Sequence, residues 1–125
     1  MDFTGERFIP GNIPPSMEKV HFARYEFASQ FVSGLNVLDI ACGTGYGTNL
    51  LASSGAKSVD GVDISHKAVS YCKDHYLKRS INFIQGDIYE YGTAETYDLI
   101  TSFETIEHVE KYEKVLTNLY RLLRP

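Results

Sequence analysis

The sequence predicts an α/β fold: a parallel sheet with helices on its flanks. Three observations predict it. Short runs of β-forming apolar residues alternate with segments of helical periodicity. The first such run leads straight into the glycines Gly43, Gly45 and Gly47. The second ends in a lone acidic residue, Asp63. Strands alternating with helices call for right-handed βαβ units. With 125 residues, 43% of them apolar, the chain has the profile of one globular domain that buries a core without staples.

Gly5, Pro10, Gly11, Pro14 and Pro15 punctuate residues 1–15, which read as an irregular arm, with the domain spanning 16–125. Ser16 is placed as an N-cap, opening a helix from Met17 to Val32 whose apolar residues Val20, Ala23, Phe27 and Phe31 share helical spacing. Ser33-Gly34 closes it. Asn36–Ala41 is the first strand, Tyr46–Ser54 a short helix closed by Gly55, and Lys57–Asp63 the second strand. Ser65 caps the next helix, with Ala68, Val69, Cys72 and Tyr76 on its apolar face. Ile81–Gln85 is the third strand and Tyr97–Phe103 the fourth. A last helix covers about Val109 to Leu123, with Val109, Tyr112, Leu116, Leu119 and Leu123 on one face.

The formal net charge of −4 argues against an extended nucleic-acid groove, because such binding is largely counterion release by Lys and Arg. It leaves room for a small or modified RNA. Two cysteines make no disulfide framework and read as reduced thiols in a cytoplasmic protein. No run approaches the ~20 apolar residues of a membrane span, and the first residues lack the pattern of a secretion signal.

A glycine loop that follows a strand and opens a helix is a ligand-binding signal, since a ligand can approach backbone where a Cβ would collide. Asp63, 18 residues after Gly45, stands where a carboxylate accepts both ribose hydroxyls of a nucleoside. It could also cap the helix that follows, a role Ser65 fills better. Asp39, four residues before Gly43, then separates two ligand classes. Its charge would repel the pyrophosphate of a dinucleotide. It suits the ammonium and sulfonium of S-adenosylmethionine, met directly or through water. The alternative for Asp39 is a buried carboxylate satisfied by neighbouring backbone N–H groups.

Val37-Leu38-Asp39-Ile40-Ala41-Cys42-Gly43-Thr44-Gly45 resembles the first motif of class I S-adenosylmethionine-dependent methyltransferases. Gly61-Val62-Asp63-Ile64-Ser65 resembles their acidic second motif, Gly86-Asp87-Ile88 the third, and Tyr97-Asp98-Leu99-Ile100 with Phe103 the fourth. Ile106-Glu107-His108-Val109 is similar to ubiquinone-biosynthesis-type and related small-molecule enzymes. Gly5-Glu6-Arg7-Phe8-Ile9-Pro10 and His21-Phe22-Ala23-Arg24-Tyr25 resemble bacterial members, some linked to glycan modification.

The resemblance implies a cofactor map. Gly43 and Gly45 line the methionine and ribose. The carbonyls of Ala41 and Phe103 accept from the ammonium. Asp63 holds the ribose, Ile64 packs on the adenine, Asp87 accepts from its amino group and the Ile88 N–H reaches its ring. Asp87 reads equally as a turn residue, and Ile64 as core. Arg24 offers a guanidinium to the cofactor carboxylate, or is a solvated side chain on the outer face. Arg7 is an alternative. Tyr25 and His21 have no individual warrant.

Methyl transfer is an in-line displacement with a good neutral leaving group, so positioning dominates catalysis. An acceptor that arrives protonated needs a base. His108, after the fourth strand, is the candidate, against an ordinary histidine at a helix start. Glu104, Glu107 and His108 are read as dipole-favoured residues, with no metal assigned.

The resemblance also implies a Rossmann-like sheet of seven strands in the order 3-2-1-4-5-7-6. The sequence supplies the order 3-2-1-4 and is expected to lack strands five to seven. The fourth strand would then be an apolar edge inviting self-association. The leading expectation is methyl transfer from S-adenosylmethionine, leaving S-adenosylhomocysteine, to a small molecule or glycan precursor. A cofactor-binding fragment without turnover and an NAD(P)-binding oxidoreductase domain are the alternatives.

Overall fold

The protein is seen in a computed structural model that describes residues 15–103 and 110–125. The expected arm therefore lies, but for Pro15, outside the described residues. Four strands, β1 (Asn36–Ile40), β2 (Ser58–Asp63), β3 (Ile81–Gln85) and β4 (Leu99–Thr101), form one sheet in the order β3-β2-β1-β4. All three pairings are parallel, with Val37 opposite both Val59 and Leu99, and Val59 opposite Ile81. The expected order 3-2-1-4 is the one observed.

Four helices complete the described chain: α1 (Pro15–Ser29), α2 (Tyr46–Ser53), α3 (His66–His75) and α4 (Tyr112–Leu122). They cover both faces of the sheet, as a parallel sheet requires. On one face Val37 and Val59 pack with Tyr25, Ala28 and Val32 of the α1 segment and Leu51 of α2. Ile81 and Phe83 pack there with Val69 and Cys72 of α3. On the other face Leu38, Ile40 and Val62 meet Val115, Leu119 and Leu122 of α4. Val37, Leu38, Val59 and Val62 are fully buried, each worth about 1.5–3 kcal/mol of transfer free energy.

Both long helices turn a different face inward from the one expected. In α1 and the turn after it, Val20, Phe27 and Phe31 are 46%, 63% and 51% exposed, while Tyr25, Ala28 and Val32 are buried. The two stripes have the same helical spacing. The sheet selects the one that brings a hydroxyl to the buried Asp39 carboxylate, which a phenylalanine could not satisfy. In α4 the buried residues are Val115, Asn118, Leu119 and Leu122; of the expected face Leu119 is buried, while Tyr112, Leu116 and the following Leu123 are exposed. Asn118 decides this orientation. Its side-chain amide donates to the carbonyls of Ile88 and Tyr91, each at 3.1 Å.

Local boundaries follow simple chemistry. α1 starts at Pro15, one residue before the expected cap, with proline in the first turn where its missing N–H costs nothing. It ends at Ser29, three residues early, before Gly34 turns the chain at φ 75°. Ser65 caps α3 as expected, its hydroxyl accepting from the Ala68 N–H at 3.1 Å. β4 is shorter than the expected Tyr97–Phe103. Tyr97 instead bridges to Leu123, donating its N–H to the Leu122 carbonyl and accepting from Arg124, both at 2.8 Å. The segment after α4 thus returns beside the entrance to β4, fastened by an Arg124–Asp98 ion pair at 3.1 Å.

Asn118→Ala strands two loop carbonyls and is expected to lower unfolding free energy by about 1–3 kcal/mol, read by urea denaturation.

Candidate cofactor site

The site is built at the carboxyl ends of β1, β2 and β4, where open parallel sheets bind ligands. β1 ends abruptly because Ala41 takes φ 61°, a left-handed conformation that costs a non-glycine residue roughly 1–2 kcal/mol. Gly43 at φ 59° and Gly45 at φ 86° continue the turn into α2. Their surroundings differ. A Cβ added at Gly45 would lie 2.7 Å from the Cys72 sulfur, whereas one at Gly43 would meet nothing within 4 Å. Gly45 is closed off by packing, and Gly43 presents open backbone.

Asp63 holds this loop to the sheet. One carboxylate oxygen accepts from the Gly43 N–H and the other from the Ser65 N–H, both at 2.9 Å. The side chain is 6% exposed. The loop's open face and the acidic tip of β2 are therefore one hydrogen-bonded unit. Ile64 follows at 59% exposure, an apolar surface set beside the carboxylate, and the Gln85 amide donates to its carbonyl at 3.1 Å. Asp87 folds onto its own loop, accepting from the Tyr89 N–H at 2.8 Å, so its turn role is observed directly. Ile88 packs partly into the α4 face.

Asp39 is placed differently from the expectation. It does not face out toward a cationic ligand: it is 0% exposed. Nor do backbone N–H groups satisfy it. Its side-chain donors are hydroxyls from three elements: Tyr25 at 3.0 and 3.2 Å, Thr48 at 2.7 Å and Thr101 at 2.8 Å. Burial raises its pKa to about 6, against the lowering effect of these hydroxyls. Burial, and then the charge of Asp39, push the Tyr25 phenol well above its ordinary value, so it stays a donor.

Tyr25, Thr48 and Thr101 were not singled out by sequence. The signal for Tyr25 was the Tyr25–Ala28–Val32 stripe, hidden by the more apolar stripe beside it. The Tyr25 ring fills the space above Gly47, where an added Cβ would fall 2.2 Å from it. It also packs edge-on against Tyr46 at 5.3 Å and Phe103 at 4.8 Å between ring centroids. Arg24 is half-buried on α1, beside Tyr25 in sequence. His108, Glu104 and Glu107 lie outside the described residues.

The two cysteines meet beneath the loop. Both are buried and free. The Cys72 thiol lies 3.3 Å from the Gly43 carbonyl, positioned to donate to it. The neighbouring Cys72 thiol and burial hold the Cys42 thiol well above its ordinary value.

Residues 37–125 match the family model described as a methyltransferase domain. This chain belongs to that family. The chain is 32% identical over 106 residues to the ubiquinone biosynthesis O-methyltransferase of Rickettsia conorii, covering 82% of this chain and 36% of that protein. It is 31% identical to a probable S-adenosylmethionine-dependent methyltransferase of Mycolicibacterium smegmatis, covering 100% of this chain and 48% of that one. It spans about half or less of the length of these relatives. Among solved structures it resembles the magnesium protoporphyrin IX methyltransferase of Synechocystis, solved with bound S-adenosylhomocysteine. The TM-score is 0.71 at 23% identity, covering 92% of this chain and 58% of that one. Among the described residues, no helix is long and apolar enough to cross a membrane.

The residues at hand fit a nucleoside: backbone is open at Gly43, with a carboxylate at the tip of β2 and an exposed apolar side chain next to it.

Gly47→Ala is expected to destabilise the fold by about 1–3 kcal/mol or more, because the Tyr25 ring cannot yield to the new methyl. Asp39→Asn tests the buried charge. The folded pKa of Asp39 lies above its unfolded value, so its stabilising contribution is full below pH 4 and lost as pH rises through about 6. Denaturation from pH 8 to pH 4 is expected to show wild type gaining up to about 3 kcal/mol relative to Asp39→Asn.

Proposed function

We propose that the chain is the cofactor-binding part of an S-adenosylmethionine-dependent methyltransferase acting on a small organic acceptor. One observation carries the reading: the Asp63 carboxylate, at the tip of β2, is bonded to the N–H of the open glycine, Gly43. Ribose recognition and loop shape then depend on a single side chain. The names of the relatives support a small-molecule acceptor, an O-methylation in ubiquinone biosynthesis in one case.

In this reading Asp63 accepts from the ribose hydroxyls, Gly43 and Gly45 line the ribose and methionine, and Ile64 covers the adenine. Asp87 accepts from the adenine amino group and the Ile88 N–H donates to its ring. The Ala41 and Phe103 carbonyls accept from the ammonium, and Arg24 pairs with the carboxylate. Bound S-adenosylmethionine would supply an electrophilic methyl on a sulfonium that departs as a neutral thioether. The protein's share is to hold the donor against the acceptor, and such orientation is worth roughly 7–11 kcal/mol of barrier. His108 serves as the base for an acceptor that arrives protonated.

Calorimetry is expected to give micromolar binding of S-adenosylhomocysteine and none of NADH. Asp63→Ala is expected to weaken that binding by roughly tenfold or more, since it removes a charged acceptor and frees the Gly43 N–H. NADH binding without S-adenosylhomocysteine binding would replace this reading with a dinucleotide site.

A further inference from the structure

We infer that Tyr25 is a positioning residue for the amino-acid end of the cofactor, acting through Asp39 and the paired tips of β1 and β4. The inference rests on the cofactor reading above. Asp39 and Thr101 are register partners on β1 and β4, and the Thr101 hydroxyl is bonded to the Asp39 carboxylate at 2.8 Å. Two residues beyond Asp39 stands Ala41, and two residues beyond Thr101 stands Phe103. These are the two residues whose carbonyls would accept from the ammonium. One carboxylate thus ties together the two strands just before each leaves the sheet toward that group.

Tyr25 controls this tie from outside the sheet. Its hydroxyl lies within hydrogen-bond distance of both Asp39 oxygens, at 3.0 and 3.2 Å. Its ring packs on Phe103 beyond β4, and on Tyr46 at the start of α2. The same side chain therefore touches the carboxylate that joins the strands, the residue past β4 and the helix that follows the glycine loop. Moving Tyr25 changes the gap between Ala41 and Phe103. The adenosine end depends instead on β2 and β3, through Asp63, Ile64 and Asp87, whose hydrogen bonds run to Gly43 and Ser65, to Gln85 and to Tyr89. The positioning is accordingly specific to one end of the ligand.

Two ligands separate the ends. S-adenosylhomocysteine carries the ammonium and carboxylate. 5′-Methylthioadenosine keeps the adenosine and the thioether and lacks both charged groups. Tyr25→Phe retains the ring above Gly47 and removes only the hydroxyl. It is expected to weaken S-adenosylhomocysteine about tenfold while changing 5′-methylthioadenosine less than about twofold, the scale of one hydrogen bond's positioning. Asp39→Asn, the other end of the bond, is expected to shift the ratio in the same direction and carries the test if Tyr25→Phe fails to fold. Leu122→Ala opens a cavity on the opposite face of the sheet, away from the hydroxyls around Asp39, and is expected to lower the melting temperature with the ratio unchanged. Equal losses for both ligands, or no loss, in the folded variants would overturn the inference and leave the cofactor reading standing. Failure of the wild-type protein to bind S-adenosylhomocysteine overturns both.

Discussion

A single buried carboxylate organises one face of this sheet. Asp39 stands on the central strand with no exposure to solvent, and a charge so placed is tolerable only when it is hydrogen-bonded. Its hydroxyl partners come from α1, from α2 and from β4. Satisfying one side chain therefore fixes where three elements sit. It fixes the rotation of α1 that places Tyr25 inward, the close approach of α2 through Gly47, and the pairing of β4 with β1. The neutral, strongly held phenol of Tyr25 remains a donor, so the arrangement does not compete with itself.

A second buried carboxylate does the corresponding work at the glycine loop. Asp63 clamps the glycine loop by the Gly43 N–H and begins α3 by the Ser65 N–H. Crowding supplies the rest of the loop's shape. Gly45 lies against Cys72 and Phe83, Gly47 lies under Tyr25, and Gly61 lies against Phe83 and Thr48. Among the glycines of the loop, Gly43 is free of such neighbours and leaves its backbone open. The loop is thus held from beneath on every side but the one that faces a ligand. A rigid scaffold that leaves one backbone face open suits an enzyme whose catalysis is mainly positioning.

The strands and the glycine loop were legible in the sequence because their signals are local. β3 runs over Ile81–Gln85 as expected, Ser65 caps α3 as expected, and the order of the four strands is the one the family resemblance implied. The helix faces were not legible. α1 carries two stripes at helical spacing, Val20-Ala23-Phe27-Phe31 and Tyr25-Ala28-Val32, and the more apolar one faces outward. α4 carries two as well, and the one containing the polar Asn118 is buried. In α1 a buried carboxylate needed the Tyr25 hydroxyl as its donor, and in α4 Asn118 joins three aliphatic side chains inward and donates to two loop carbonyls.

The sequence by itself determined the class of fold, the loop that opens α2, the acidic tip of β2 and the family to which the chain belongs. Those depend on backbone conformations and periodicities that neighbouring residues set. Only the tertiary structure decided what Asp39 does. Its charge reads from the sequence as facing a cationic ligand, yet its partners, Tyr25, Thr48 and Thr101, are 14, 9 and 62 residues away. Hydroxyls that far apart along the chain carry no local pattern. They become a binding set only when the folded chain removes water from around one carboxylate and leaves them as its donors.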